Sequence, residues 1–279
     1  ELAARAVAAG AFVAIAHPQW SGLTLADARS ITAAHAVEIY NHGCATGCDR
    51  PDGAAIADLL LTEGRKLTLS ATDDAHFSEP DHFGGWVMVK AEANEPEALL
   101  AALKRGDFYS SQGPELRDVR IEGDKVVVEC SAAVSVVAMG QGTGAKAVHG
   151  ASMTRAEVSL QRLNNSPWVR AAVLDAAGQR AWSNPIRRRG PAGWAILPIL
   201  RAAFQTCGGS ALGARNRHGE GLGKAGIVVV ADPGQRADRG IVELALRGQD
   251  AVLDMDAHDL AEDHIHPAMP GLAAQSVGR

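Results

Sequence analysis

A chain of 279 residues, 47% hydrophobic and only 4% aromatic, is long enough to bury one large core or two ordinary ones, although alanine inflates the apolar share. Its formal net charge of −5, with Arg187, Arg188 and Arg189 as the one basic cluster, excludes a sustained cationic face and so a nucleic-acid-binding surface. No run approaches the roughly 18 apolar residues of a membrane span, and "PAGWAILPILRAAF" (191–204) is shorter and broken by prolines and an arginine.

The first hundred residues alternate. "ELAARAVAAG" reads as a helix stopped at Gly10, and "AFVAIA" (11–16) as a short buried strand. "TLADARSITAAH" (24–35) is helical, "AVEIY" (36–40) a strand, "DGAAIADLLLTEG" (52–64) a helix and "KLTLSA" (66–71) a third strand. "EPEALLAALKRG" (95–106) carries Pro96 in its first turn and Gly106 just past its end, the asymmetry expected of a helix. Strand–helix alternation predicts parallel strands and an α/β architecture for residues 1–112. Beyond Gly113-Pro114 the pattern turns all-β. Two runs surround an "EGD" turn, "VSVVAMG" follows, and 168–185 reads as strand, turn, strand, so residues 113–186 are expected to form a small sandwich-like module. Trp168 and Trp182 belong to its core on this reading. Residues 187–279 change again, rich in Gly, Ala and Arg, with one clear strand in "GIVVVADP" and one helix in "DRGIVELALRG". Otherwise they are expected to be a poorly ordered tail.

Four cysteines, Cys44, Cys48, Cys130 and Cys207, make no disulfide framework in a chain this long. Cys44 and Cys48 stand beside His42, but no second pair follows to complete a zinc knuckle, and they read as loop thiols. "GQGTGAKAVHG" (140–150) lacks the Gly-Lys-Ser/Thr ending of a phosphate loop, and "RGD" at 105–107 is a helix exit. No signal peptide is visible, and the compartment is open.

The chemistry sits at the strand ends. The first strand runs into His17-Pro18, the second contains Glu38 and ends in Asn41-His42, and the third ends in Asp73-Asp74-Ala75-His76. Side chains at the carboxyl ends of parallel strands converge on one rim, where ligands bind. Imidazole and carboxylate delivered there by three successive strands suit a divalent metal such as zinc, manganese or iron. The bland alternative makes His17-Pro18 a turn and the aspartates a helix cap. Joint occurrence at three strand ends favours the metal.

"AIAHPQW", "VEIYNHG", "SATDDAHF", "GGWVMVKAE", "LLAALKRGDFYSSQGPEL" and "VRAAVLDAAGQRAWSNPI" occur in an order that resembles the PHP-domain metal-dependent phosphoesterases, in the subgroup with a β-domain after the barrel. The resemblance covers roughly residues 1–186. It implies a distorted (β/α) barrel, of which this chain carries the C-terminal part, and a centre of two or three metal ions. It also implies hydrolysis of small phosphate esters by metal-activated hydroxide. His17 matches the family's His-Pro ligand, and Asp74 and His76 match its Asp-x-His pair. Glu38 and Asn41 match positions that orient ligands, with Asp73 a further positioning group or a cap. Family members open with a His-x-His strand and a second Asp/His-bearing segment. Neither precedes His17 here, so the intact site is expected to draw on sequence upstream of Glu1.

Two other readings stand beside this one. The chain is a truncated, non-catalytic remnant or binding module, or it is an amidohydrolase-like metal hydrolase, although no lysine is placed at a strand end for that chemistry. In the tail, His264 and His266 with Asp254, Asp256 and His258 form a polar cluster. It reads as solvated rather than as a permuted His-x-His pair.

Overall fold

Short apolar runs set the first layer. In the computed structural model, which describes residues 1–77, 79–188, 193–194 and 227–230, β1 (Phe12–Ile15), β2 (Ala36–Asn41) and β3 (Thr68–Thr72) lie side by side and parallel. A strand from the C-terminal region, β12 (Ile227–Val230), pairs in parallel on the outer edge of β1, giving the order β12-β1-β2-β3. Both faces of this sheet are covered, as its nearly continuous apolar strands require. Val13, Ile15, Val37, Ile39 and Leu69 point to one side, where they pack with Ala3, Ala28, Ala57, Leu60 and Leu61. Those partners come from α1 (Leu2–Ala8), α2 (Leu25–Ser30) and α4 (Ala54–Thr62). The alternate residues Phe12, Ala14 and Ala36 meet Leu103 of α5 (Pro96–Arg105) and Phe108 on the other side.

Helix limits follow local chemistry. α2 begins in a capping box, with the Thr24 hydroxyl accepting from the Asp27 N–H and the Asp27 carboxylate accepting from the Thr24 N–H. It stops at Ser30, well short of residue 35, because Ile31 leaves helical geometry at ψ 65°. The segment read as a loop around Cys44 and Cys48 is a helix, α3 (His42–Cys48), started by the Asn41 side chain, which accepts from the Cys44 N–H at 2.7 Å. α5 ends at Gly106, whose φ of 82° suits a residue without Cβ.

A (β/α) barrel does not form. Strands hold 40% of the described residues and helices 22%, too strand-rich for strict alternation of the two. The parallel array ends at β3, where polar side chains take the place of a next strand. The Leu69 N–H donates to Asn184 Oδ1 at 2.8 Å, and the Leu69 carbonyl accepts from the Ser110 hydroxyl at 2.8 Å. The chain then leaves through β4 (Trp86–Val89) and β5 (Phe108–Ser111). These pair antiparallel with each other and, through β10 (Arg180–Trp182), enter a second sheet.

That second sheet is not a sandwich either. It is one eight-stranded, curled, antiparallel sheet in the order β4-β5-β10-β9-β7-β6, with β8 (Ala145–Ser159) also on β7 and β11 (Ile186–Arg187) also on β9. The reason lies in β7 (Lys125–Gly140), which fuses two runs that the sequence separates. Its first half pairs with β6 (Leu116–Glu122), its second half with β9 (Trp168–Leu174), and β8 follows both. Register shifts between Glu129 and Ser135 bend it, so one sheet wraps a core of Leu116, Val126, Val128, Val136, Leu160 and Val173. Trp168 and Trp182 face the other way, into the core of the parallel sheet. The helix expected at 238–248, Cys207, and the polar cluster of Asp254, Asp256, His258, His264 and His266 lie outside the described residues.

Candidate functional site at the ends of the parallel strands

β1, β2 and β3 all end on one rim. His17 follows β1 with φ 25°, and Asp74 follows β3 with φ 55°. Both are left-handed conformations that non-glycine residues adopt rarely and that cluster at functional sites. Between them stands Glu38 of β2, only 2% exposed. Its Oε2 accepts from the His17 backbone N–H and from Asn41 Nδ2 at 3.0 Å, and its Oε1 accepts from the Thr72 hydroxyl. Asn41 Nδ2 also donates to Asp74 Oδ2 at 3.1 Å, while its oxygen caps α3. One carboxylate and one amide therefore tie the three strand ends together.

Burial dominates the electrostatics. Desolvation pushes the Glu38 carboxyl up to about 7, against the pull of its three donors, and the charge of Asp74 adds to the rise. Desolvation also holds the His17 imidazole below its ordinary value, opposed by the attraction of Asp74. Cys44, buried beside Asp74 and Glu38, has its thiol pushed up to about 12 by burial first and by those carboxylates second, so it is no thiolate nucleophile.

Both histidines are held through the same nitrogen. His17 Nδ1 lies 2.8 Å from Ser21 Oγ. His76 Nδ1 lies 3.2 Å from Asp81 Oδ2, and the same Asp81 oxygen accepts from the His76 N–H at 2.7 Å. Those backbone bonds, the His76 N–H foremost, hold the Asp81 carboxyl below the usual range. Engagement of Nδ1 by a hydroxyl or carboxylate is how metal-binding histidines are oriented, with Nε2 as the donor.

The six residues singled out in the sequence thus divide. His17, Glu38, Asn41 and Asp74 are brought together. His76 is ordered separately by Asp81. Asp73 turns to the loop, where its carboxylate accepts from the N–H groups of Phe83, Gly84 and Gly85 at 2.5, 2.8 and 2.8 Å. Three members of the network escaped sequence reasoning: Ser21, Thr72 and Asp81. Thr72 could have been found, since it lies two residues before Asp74 on the same strand end. Ser21 and Asp81 stand in loops, where spacing carries no signal.

The donors fit a divalent ion in kind and not in number. Among the described residues no group of three or more His, Cys, Asp and Glu side chains is placed to hold one, whereas a catalytic zinc takes about three protein ligands. Comparison with protein-family models, curated proteins and solved structures returns no match for the chain.

Proposed function

We propose that this strand-end cluster is one wall of a divalent-metal site that hydrolyses small phosphate esters. The observation that carries the reading is the convergence of His17 and Asp74 on one rim, each held by a second residue. Ser21 fixes the His17 ring, and Asn41, itself bonded to Glu38, fixes Asp74. The motif order of residues 1–186 adds to it. A bound divalent ion would supply an activated water and charge stabilisation on phosphate oxygens. What the chain's own residues do is narrower. Glu38 locks the β1 and β2 ends in register and keeps the His17 backbone turned. Asn41 holds one Asp74 oxygen, and Asp81 orients His76.

A second reading, a non-catalytic binding module, is favoured by the separate pairing of His76 with Asp81. Turnover of 4-nitrophenyl phosphate with added Mn2+ separates the two. The hydrolytic reading expects metal-dependent turnover that falls at least a hundredfold in Asp74→Asn and in His17→Ala. Turnover in those variants within threefold of the parent, or none in the parent, leaves the binding module.

A further inference from the structure

The curled sheet has an open edge. β8 pairs with β7 alone, so among the described residues no strand covers its other side. Alternate peptide groups along that side point away from β7, and a row of such groups is a template for a further strand. The regular stretch is 153–159. Before it the strand is broken at Ser152, whose φ of 53° is rare outside glycine. After it the chain enters a short 3-10 helix, Gln161–Leu163. Within the stretch, Ala156 and Val158 are buried in the core of the curled sheet. Arg155 and Glu157 alternate with them on the outer face, their side chains 46% and 43% exposed.

The charges of this face run across three strands and stop at β8. Arg120 of β6 is engaged by Asp118 and Glu122 and by Glu129 of β7. Lys125 of β7 reaches one oxygen of Glu157 at 2.8 Å, and Arg155 reaches the other at 2.8 Å. Arg120 thus has three carboxylates, whereas Arg155, on the edge strand, has one ion pair among the described residues. An edge protected against pairing with its own copies carries charges of one sign, which repel across a twofold axis. This edge carries one of each sign, two residues apart. A twofold axis at Ala156 sets Arg155 of each copy directly opposite Glu157 of the other, giving two attractive pairs. An axis at Arg155 or at Glu157 faces like with like, so the charges also fix the register.

We infer that the 153–159 segment of β8 is a dimerisation edge, and that its partner is the same segment of a second copy of this chain, paired antiparallel about a twofold axis at Ala156. The pairing joins two curled sheets into one and closes, since neither copy keeps a free β8 edge for a third.

The test is sedimentation equilibrium of the whole chain from about 10 µM to about 0.5 mM, because one strand a side is a small interface. The parent is expected to pass from monomer to dimer over that range. Arg155→Glu leaves the Lys125–Glu157 pair in place and sets Glu opposite Glu, so the dissociation constant is expected to rise about tenfold or more. Glu157→Arg is expected to do the same by setting Arg opposite Arg. An equimolar mixture of the two variants restores opposite charges at both contacts and is expected to dimerise within about threefold of the parent. Because these side chains are half exposed, both variants are expected to keep the parent's unfolding midpoint. A parent that stays monomeric throughout the range overturns the edge pairing. So does a dimer that Arg155→Glu leaves within about threefold of the parent, or a mixture that stays monomeric although both variants keep the midpoint. Association that runs on beyond a dimer overturns it too, because a contact of β8 with β6 of the next copy does not close.

Discussion

Glu38 concentrates the site's conflict in one residue. A carboxyl 2% exposed loses most of its hydration, and three donors only partly replace it, so its proton leaves at about 7 rather than near 4.5. The sign of the resulting pH dependence is fixed. A carboxyl raised in the folded state contributes stability that is full below about pH 4.5 and is lost as pH rises through 7. The difference corresponds to on the order of 3 kcal/mol. His17 acts oppositely, since a histidine lowered by burial contributes stability present above pH 6.5 that is lost on acidification. The windows overlap, so comparison with Glu38→Gln isolates the glutamate. The amide keeps the acceptor for His17 and Asn41 and turns its NH2 to Thr72. In metal-free buffer, urea unfolding is expected to show Glu38→Gln gaining on the parent by up to a few kcal/mol between pH 4 and pH 8. A constant offset across that range would contradict the assignment.

At the scale of elements, single polar side chains decide where segments begin and stop. Asn41 starts α3 and bonds to Glu38 and Asp74. Asn41→Ala removes a helix cap worth about 1 kcal/mol and strips a buried carboxylate of a donor, about 1–3 kcal/mol more. Asn184 ends the parallel sheet, holding the Leu69 N–H and donating to the carbonyls of Gly106 and Phe108 at 3.0 and 2.8 Å. Asn184→Ala is expected to cost about 2–4 kcal/mol, read as a lower urea midpoint, because three backbone groups, two of them buried, lose partners at once. Gly53 is required for a different reason. A Cβ there would lie 1.9 Å from the Glu38 carbonyl oxygen, so Gly53→Ala must push α4 away from β2 and is expected to disturb the site as well as the fold. These particulars mark what the sequence could show. The three parallel strands and α1, α4 and α5 were legible in apolar runs and in Pro96 and Gly106. The edge at β3 was not, because Asn184 is 115 residues from Leu69 and no local pattern announces so distant a cap.

At the scale of the molecule, the two sheets are joined by specific side-chain contacts as well as by Trp168 and Trp182 in the parallel-sheet core. Arg170 of the curled sheet, its side chain 4% exposed, pairs with Asp58 of α4 through bonds of 2.8 and 2.9 Å, and Trp168 Nε1 donates to Thr62 at 3.2 Å. Asp58→Ala would leave a buried guanidinium without its partner, an expected loss of about 3–5 kcal/mol. The rim that carries His17, Glu38, Asn41 and Asp74 was legible because strand ends are local in sequence and converge whenever the strands are parallel, barrel or not. The barrel was not legible as absent. Alternation of strand and helix is the same for three parallel strands as for eight, and the departure depends on where β4 and β5 pair. The proposal that His17 and Asp74 help to hold a divalent ion is tested most directly by Mn2+ binding, measured as water-proton relaxation enhancement. The account predicts saturable binding by the parent, weakened at least tenfold in each of His17→Ala and Asp74→Asn. No saturable binding by the parent, or variants within threefold of it, would contradict the claim.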